Sequence, residues 1–139
     1  MIDESIFREY DIRGIVPDQI NEFSVKAIAK AIAIKCHNEF VDIIALGRDG
    51  RLSGGDLLSA LSNELQSLGI NVLNIGVVTS PLLYFAAKKI KSKSGIMITG
   101  SHNPKNYNGF KIVINDSPVS GIEILDLISH ELGDLENPG

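Results

Sequence analysis

Apolar positions along the chain alternate between helical and extended spacing. Val25, Ile28, Ala29, Ile32, Ala33 and Cys36 recur at intervals of three and four, which predicts a helix of about four turns with Ser24 as its N-cap. Residues 42–47 (DIIALG) form a short apolar run ending in glycine, the signature of a buried strand. Leu57, Leu58, Leu61, Leu65 and Leu68 mark a second helix that Gly69 closes, and residues 70–75 (INVLNI) a second strand. Ser80 and Pro81 open a third helix through Ile90, with proline at the first helical position, where its missing N–H costs nothing. Residues 95–99 (GIMIT) and 110–114 (FKIVI) predict a third and a fourth strand, and a last helix covers residues 122–132. Short buried strands between amphipathic helices predict an α/β fold: a three-layer α/β/α domain with a mostly parallel, mixed, four-stranded sheet covered by helices. With 139 residues, the chain is expected to be one domain, and the closing ENPG is turn chemistry suited to a linker.

Composition narrows the class. Hydrophobic residues make up 44% and charged residues 22%, ordinary for a globular domain and too apolar for disorder. No apolar run approaches the roughly 18 residues of a membrane span. The start, MIDESIFREY, is acidic and unlike a signal peptide. The single Cys36 fits a reducing compartment. A cytoplasmic location without a membrane is therefore expected. The net charge of −4 argues against a nucleic-acid partner, which selects a basic face.

Where the charges fall matters more than their sum. All four arginines, Arg8, Arg13, Arg48 and Arg51, lie in the first 51 residues, and the last three sit within two residues of a glycine. A guanidinium in such a turn is suited to bidentate recognition of phosphate or carboxylate. Lys88, Lys89, Lys91 and Lys93 cluster at the end of the third predicted helix, as a solvated terminus does. No Lys or Arg follows Lys111, whereas six acids do, so an uncompensated acidic face is expected there.

In open α/β sheets, ligands bind beyond the carboxyl ends of the strands. Two polar, glycine-rich loops qualify, residues 47–55 and 100–109. In the second, Ser101 follows a strand beside His102, with Asn103 and Pro104 shaping the turn. Such a serine is a nucleophile if something activates or modifies it, and otherwise a turn residue. A nucleophile elbow is excluded, because Thr99 and Asn103 stand where it needs glycine. No Walker loop and no zinc spacing occur; His37 and His130 fall in predicted helices, where surface or packing roles are expected. A hydrolase built on Ser101 and His102 lacks an evident orienting acid.

The string T-G-S-H-N-P followed by N-G-F-K, within residues 99–111, resembles the phosphoserine loop of the α-D-phosphohexomutase superfamily. F-R-E-Y-D-I-R-G (residues 7–14) resembles the opening of its phosphomannomutase/phosphoglucomutase branch, and G-R-D-G-R (residues 47–51) is similar to a further stretch of that branch. The three motifs occur in the expected order over nearly the whole chain, residues 1–139 resembling the N-terminal domain, domain I. The opening is unlike the F-G-T-D-G-I-R-G-type string of phosphoglucosamine mutases.

The resemblance implies an isomerase that interconverts hexose 1-phosphate and hexose 6-phosphate of mannose or glucose, through phosphoserine and a hexose 1,6-bisphosphate. It makes Ser101 the phosphoryl carrier, with His102, Lys111 and Arg13 catalytic and Tyr10, Asn103 and Arg48 binding phosphate or substrate. Arg48 has an alternative, bracing the loops by pairing with Asp49 or Asp11, and Lys105 is expected in solvent. The resemblance also implies one Mg2+, held by the Ser101 phosphoryl oxygen and by Asp residues of a D-G-D-x-D-R-type loop. No such string occurs in these residues. The chain is therefore expected to need the other domains of the same polypeptide as partners, and to be inactive alone. The alternative is a non-catalytic phosphosugar-binding or regulatory module that keeps the loop.

Overall fold

The computed structural model of the chain describes residues 2–136, with side chains as far as His130. Most of the ENPG ending lies outside the described residues. A 3-10 turn, Glu4–Ile6, leads into β1 (Ile12–Ile15). There follow α1 (Glu22–Asn38), β2 (Ile43–Arg48), α2 (Gly54–Ser67), β3 (Asn71–Val77), α3 (Ser80–Lys89), β4 (Gly95–Ile98), β5 (Tyr107–Ile114), β6 (Ser117–Val119) and α4 (Gly121–Glu136).

The four predicted helices and four predicted strands are all present, and the α/β class holds. The sheet, however, has six strands rather than four, in the order β1-β5-β4-β2-β3 with β6 added to β5. Nor is it mostly parallel: β2 runs parallel to β3 and β4, while β5 is antiparallel to β1, β4 and β6. Only eight residues separate Ile98 from Tyr107, fewer than the dozen or so a parallel crossover needs, so the chain returns as an antiparallel neighbour. β1 was hidden because IRGI interrupts its apolar residues with Arg and Gly. β6 was hidden by Pro118, which is tolerated on an edge strand. Its turn is Asn115-Asp116, both at positive φ (53° and 67°), the two-residue hairpin geometry that favours Asn and Asp.

Local signals set the helix ends. The N-cap of α1 is Asn21 rather than Ser24; Ser24 is the third helical residue, and the two exchange side-chain bonds with each other's backbone N–H as a capping box. Gly69, at φ 88°, follows the Leu68 C-cap of α2, and Ile70 N–H closes back on the Leu65 carbonyl. Thr79 caps α3, which puts Pro81 at the second helical position instead of the first.

Strand alternation divides the core by face. Ile44, Leu46, Ile96, Ile98, Phe110, Ile112 and Ile12 point into the main core with Ile28, Ile32, Leu61, Leu65 and Ile124 of α1, α2 and α4. The opposite face holds Ala45 and Met97 beneath Leu83 of α3. Arg13 and Lys111 alternate with main-core residues on β1 and β5, so both project from the α3 face of the sheet, whereas α3 itself packs over β2 and β4. Cys36 is buried, which pushes its thiol up to about 12 and leaves no thiolate near neutrality. The acidic face is partly compensated: Lys35 Nζ lies 2.6 Å from Glu123 and 2.9 Å from Glu39.

Candidate active site

The two glycine-rich loops lie side by side beyond β2 and β4, joined by Asp49 N–H donating to the Ile98 carbonyl at 3.0 Å. At the start of the second loop Ser101 adopts φ 52°, the left-handed region that costs a side-chain-bearing residue roughly 1–2 kcal/mol. Non-glycine residues in that region cluster at functional sites. The Ser101 N–H donates to Thr99 Oγ1 at 2.9 Å, and the Thr99 hydroxyl in turn donates to Asp49 Oδ2 at 2.8 Å. The hydroxyl of Ser101 is thus left to face another partner.

That partner is Arg13. Its Nη2 donates to Ser101 Oγ at 3.2 Å and its Nη1 to Asn103 Oδ1 at 2.5 Å. Nη2 is also ion-paired with Asp11, whose carboxylate is buried and lies 3.7 Å from Arg8 Nε. The buried Arg13 Nε–H has no acceptor among the described residues. Arg13 reaches the loop because β1 runs close to β5, where Arg13 lies opposite Gly109. A Cβ on Gly109 would overlap the Ile12 carbonyl.

Arg51 carries the other half of the architecture. Its Nη1 donates to the Pro104 and Tyr107 carbonyls at 2.5 and 3.1 Å, and its Nη2 to those of Ser101 and Asn103 at 2.9 and 2.7 Å. Nε lies 3.4 Å from Asp49 Oδ2. Asp49 also accepts the Gly100 N–H at 3.3 Å and the Arg51 N–H at 3.2 Å. Asn108, fully buried, keeps its amide satisfied by donating to Ser53 Oγ at 2.9 Å and accepting the Gly109 N–H at 3.0 Å.

Of the residues singled out from sequence, Ser101, Arg13 and Asn103 are brought into direct contact. Lys111 is half-buried on β5 opposite Met97, on the same sheet face as Arg13. His102 and Lys105 are exposed, and Tyr10 is 82% exposed. Arg48 turns away from Ser101: its Nη1 donates to the Asp49 carbonyl at 3.2 Å and its stem lies against Gly54. It therefore braces its own loop, through a backbone carbonyl rather than through either carboxylate. Sequence reasoning missed Asp11, Asp49, Thr99 and Arg51 as members of the site. The signal available for Arg51 was its place in G-R-D-G-R, one loop from the serine. A cavity of about 490 Å3 beside the loop is lined by Asp49, Gly50, Arg51, Leu52, Asn103 and Lys105. Among the described residues, no cluster of three or more His, Cys, Asp or Glu side chains could hold a metal ion, and no helix is long and apolar enough to cross a membrane.

Residues 4–133 match the family model described as phosphoglucomutase/phosphomannomutase, alpha/beta/alpha domain I. The chain is 48% identical over 128 residues to a phosphoglucomutase of Neisseria meningitidis serogroup B, covering 92% of this chain and 28% of that protein. It is 44% identical over 120 residues to a phosphomannomutase/phosphoglucomutase of Pseudomonas aeruginosa, covering 86% and 26%. A solved phosphoglucomutase/phosphomannomutase family protein from Burkholderia thailandensis superposes with a TM-score of 0.86 at 34% identity, over 98% of this chain and 31% of its own. The chain thus spans somewhat over a quarter of the length of the curated relatives it matches.

Proposed function

Because the chain belongs to the phosphoglucomutase/phosphomannomutase family through its α/β/α domain I, we propose that it is the phosphoryl-carrying part of a phosphohexomutase. The reaction is the interconversion of hexose 1-phosphate and hexose 6-phosphate of glucose or mannose. The observation that supports this best is the Ser101 hydroxyl, held at a left-handed turn with the Arg13 guanidinium 3.2 Å away. A guanidinium there suits the oxygens of a phosphoryl group on Ser101 better than it suits a neutral hydroxyl.

In this reading phospho-Ser101 transfers its phosphoryl group to a hydroxyl of the sugar phosphate. The bond from phosphorus to Ser101 Oγ breaks as that to the sugar oxygen forms, and the proton of the sugar hydroxyl ends on Ser101 Oγ, giving a hexose 1,6-bisphosphate and free serine. The second half-reaction returns the other phosphoryl group to Ser101. Arg13 stabilises charge on the transferring oxygens, with its own position fixed by Asp11 and Asn103. Lys111, a compact cation on the same sheet face, lies on the substrate side and balances the developing negative charge. His102 is exposed at the same turn, where it meets the incoming sugar phosphate.

The described residues do not by themselves fit a Mg2+ site. Asp11 is ion-paired with Arg13, and Asp49 is held by Thr99, Gly100 and Arg51. A metal requirement is therefore proposed only for a longer protein, with carboxylates from outside these residues. For the same reason the 139 residues alone are expected not to turn over glucose 1-phosphate or mannose 1-phosphate; measured turnover by the purified chain would overturn that expectation. Mass spectrometry of Ser101 in protein isolated from its native host tests the central proposal. A stoichiometric phosphoryl group is expected. Its absence from active enzyme would remove Ser101 from the role, and its absence from a full-length protein without turnover would favour a non-catalytic phosphosugar-binding module.

A further inference from the structure

We propose that Arg51 is a positioning residue for phosphoryl transfer, one that aims Ser101 at Arg13 without touching the substrate. The inference rests on the reading of Ser101 as phosphoryl carrier. It starts from an unusual use of a guanidinium: four N–H donations, all to main-chain carbonyls of one loop, at residues 101, 103, 104 and 107. Four carbonyls converge on one side chain here, and each takes its own N–H, a demand that a planar fork with five donors meets. An ammonium has only three donors and cannot.

The loop is shaped to receive that fork. A Cβ on Gly100 would overlap Arg51 Cζ and Nε and come within 2.7 Å of Nη1, so the missing side chain of Gly100 is the seat of the guanidinium. Asp49 closes the other side, 3.4 Å from Arg51 Nε, while receiving the Thr99 hydroxyl that itself holds the Ser101 N–H. Ser101 is therefore fixed at both ends of its residue: its N–H through Thr99 to Asp49, its carbonyl to Arg51. With φ at 52°, the turn is strained and would relax if either hold were lost. Relaxation swings Oγ away from Arg13 Nη2, now 3.2 Å distant.

The consequence is measurable without turnover. Phosphoserine has a second pKa near 6, and contact with Arg13 favours the dianion and lowers that value. Phosphoserine installed at position 101 of this chain by genetic encoding can be titrated by 31P NMR. Arg51→Lys keeps the charge and removes the fork; it is expected to raise the pKa by about half a unit towards 6, and Arg13→Ala by about one unit. The double variant should rise no further than Arg13→Ala alone, because Arg51 acts through the Ser101–Arg13 contact. Gly100→Ala should reproduce the Arg51→Lys shift with Arg51 intact. An unchanged pKa in Arg51→Lys, or additive shifts in the double variant, would overturn the proposal. Folding is checked by urea titration; if Arg51→Lys does not fold, Gly100→Ala and Asp49→Asn carry the test. Failure of all three to fold would also overturn it, as the mark of a purely structural role. A Ser101 found without phosphate in the native host overturns the mutase reading and leaves the titration result standing, so the two failures are distinguishable.

Discussion

The loop after β2 and the loop after β4 are alike in composition: both are polar and glycine-rich, and both follow buried strands. Their side chains work in opposite directions. In the first, Asp49 and Arg51 point across to the second loop and end on its backbone N–H, carbonyl and hydroxyl groups. In the second, the backbone is held from behind, while Ser101 Oγ faces Arg13 and His102 and Lys105 face solvent. Strain divides them in the same way. Ser101 sits at φ 52°, while no non-glycine residue of the first loop has positive φ. A loop whose side chains end on its neighbour's backbone and on Thr99 is a brace, and a strained loop whose serine hydroxyl faces Arg13 is what it braces.

Substitutions should separate the two loops by kind of effect. In a longer polypeptide carrying this domain, Ser101→Ala is expected to abolish mutase turnover, while its cost to the stability of the 139-residue chain stays within about 0.5 kcal/mol. Ser101→Gly should be equally inactive and more stable than Ser101→Ala by roughly 0.5–1 kcal/mol, because relief of the left-handed strain exceeds the added chain entropy. Urea unfolding with a turnover assay checks both. A glycine variant less stable than the alanine variant would mean that the turn holds no strain.

The largest stability loss is expected at Gly109, which belongs to β5. Gly109→Ala would drive a Cβ into the Ile12 carbonyl, and overpacking against backbone costs about 3 kcal/mol. Because Gly109 lies opposite Arg13, the variant should also move Arg13 off Ser101 while leaving residues 47–55 and 100–106 unaltered in sequence. Asp49→Ala comes next, at about 2 kcal/mol, since it strips acceptors from Thr99, Gly100 and Arg51 together. A harmless Asp49→Ala would dissolve the distinction between brace and braced.

Much of this arrangement was legible in the sequence, and what was not has a common cause. The helices and the buried strands β2, β4 and β5 were visible because apolar periodicity reports burial on a core; β3 was visible through its apolar residues, although it is an edge strand with no fully buried position. Ser101, Arg13 and Asn103 stood out through motif strings, and the structure brings them together. β1 was invisible because its four residues give one face to Ile12 and the other to Arg13, too short a pattern to register. The antiparallel turn of β5 was visible only as a loop length, the eight residues after Ile98. Arg48 read as a site residue or as a brace paired with Asp49 or Asp11 with equal ease, and Arg51 was not singled out for either role, since a sequence does not say whether a guanidinium ends on a ligand or on a carbonyl. Tertiary placement alone decides that, and it also turned Arg48 inward to Asp49.

A polar network remote from both loops provides the smallest effect and the control for the others. Lys35 on α1 lies 2.9 Å from Glu39 and 2.6 Å from Glu123 of α4. Hydrogen bonding to Lys35 holds the Glu39 carboxyl below its ordinary value of 4.5, and hydrogen bonding to Glu123, then Glu39, holds the Lys35 ammonium above its ordinary 10.5. A lowered carboxyl contributes stability above its unfolded pKa and loses it as the pH falls through the folded value. A raised ammonium contributes below its unfolded pKa and loses the contribution as the pH rises through the folded value. The network is thus intact across neutrality and weakens on acidification through the range below 4.5 and on alkalinisation above 10.5. Glu39→Gln should cost about 0.5 kcal/mol at neutral pH, the worth of a solvent-screened pair. The difference from the parent should disappear in acid, once Glu39 is itself protonated. Neither the titration of phospho-Ser101 nor its response to Arg51→Lys should change in this variant. If Glu39→Gln moved that titration as far as Arg51→Lys does, the effect at Ser101 would report general stability, and the special standing of the β2 loop as its brace would be lost.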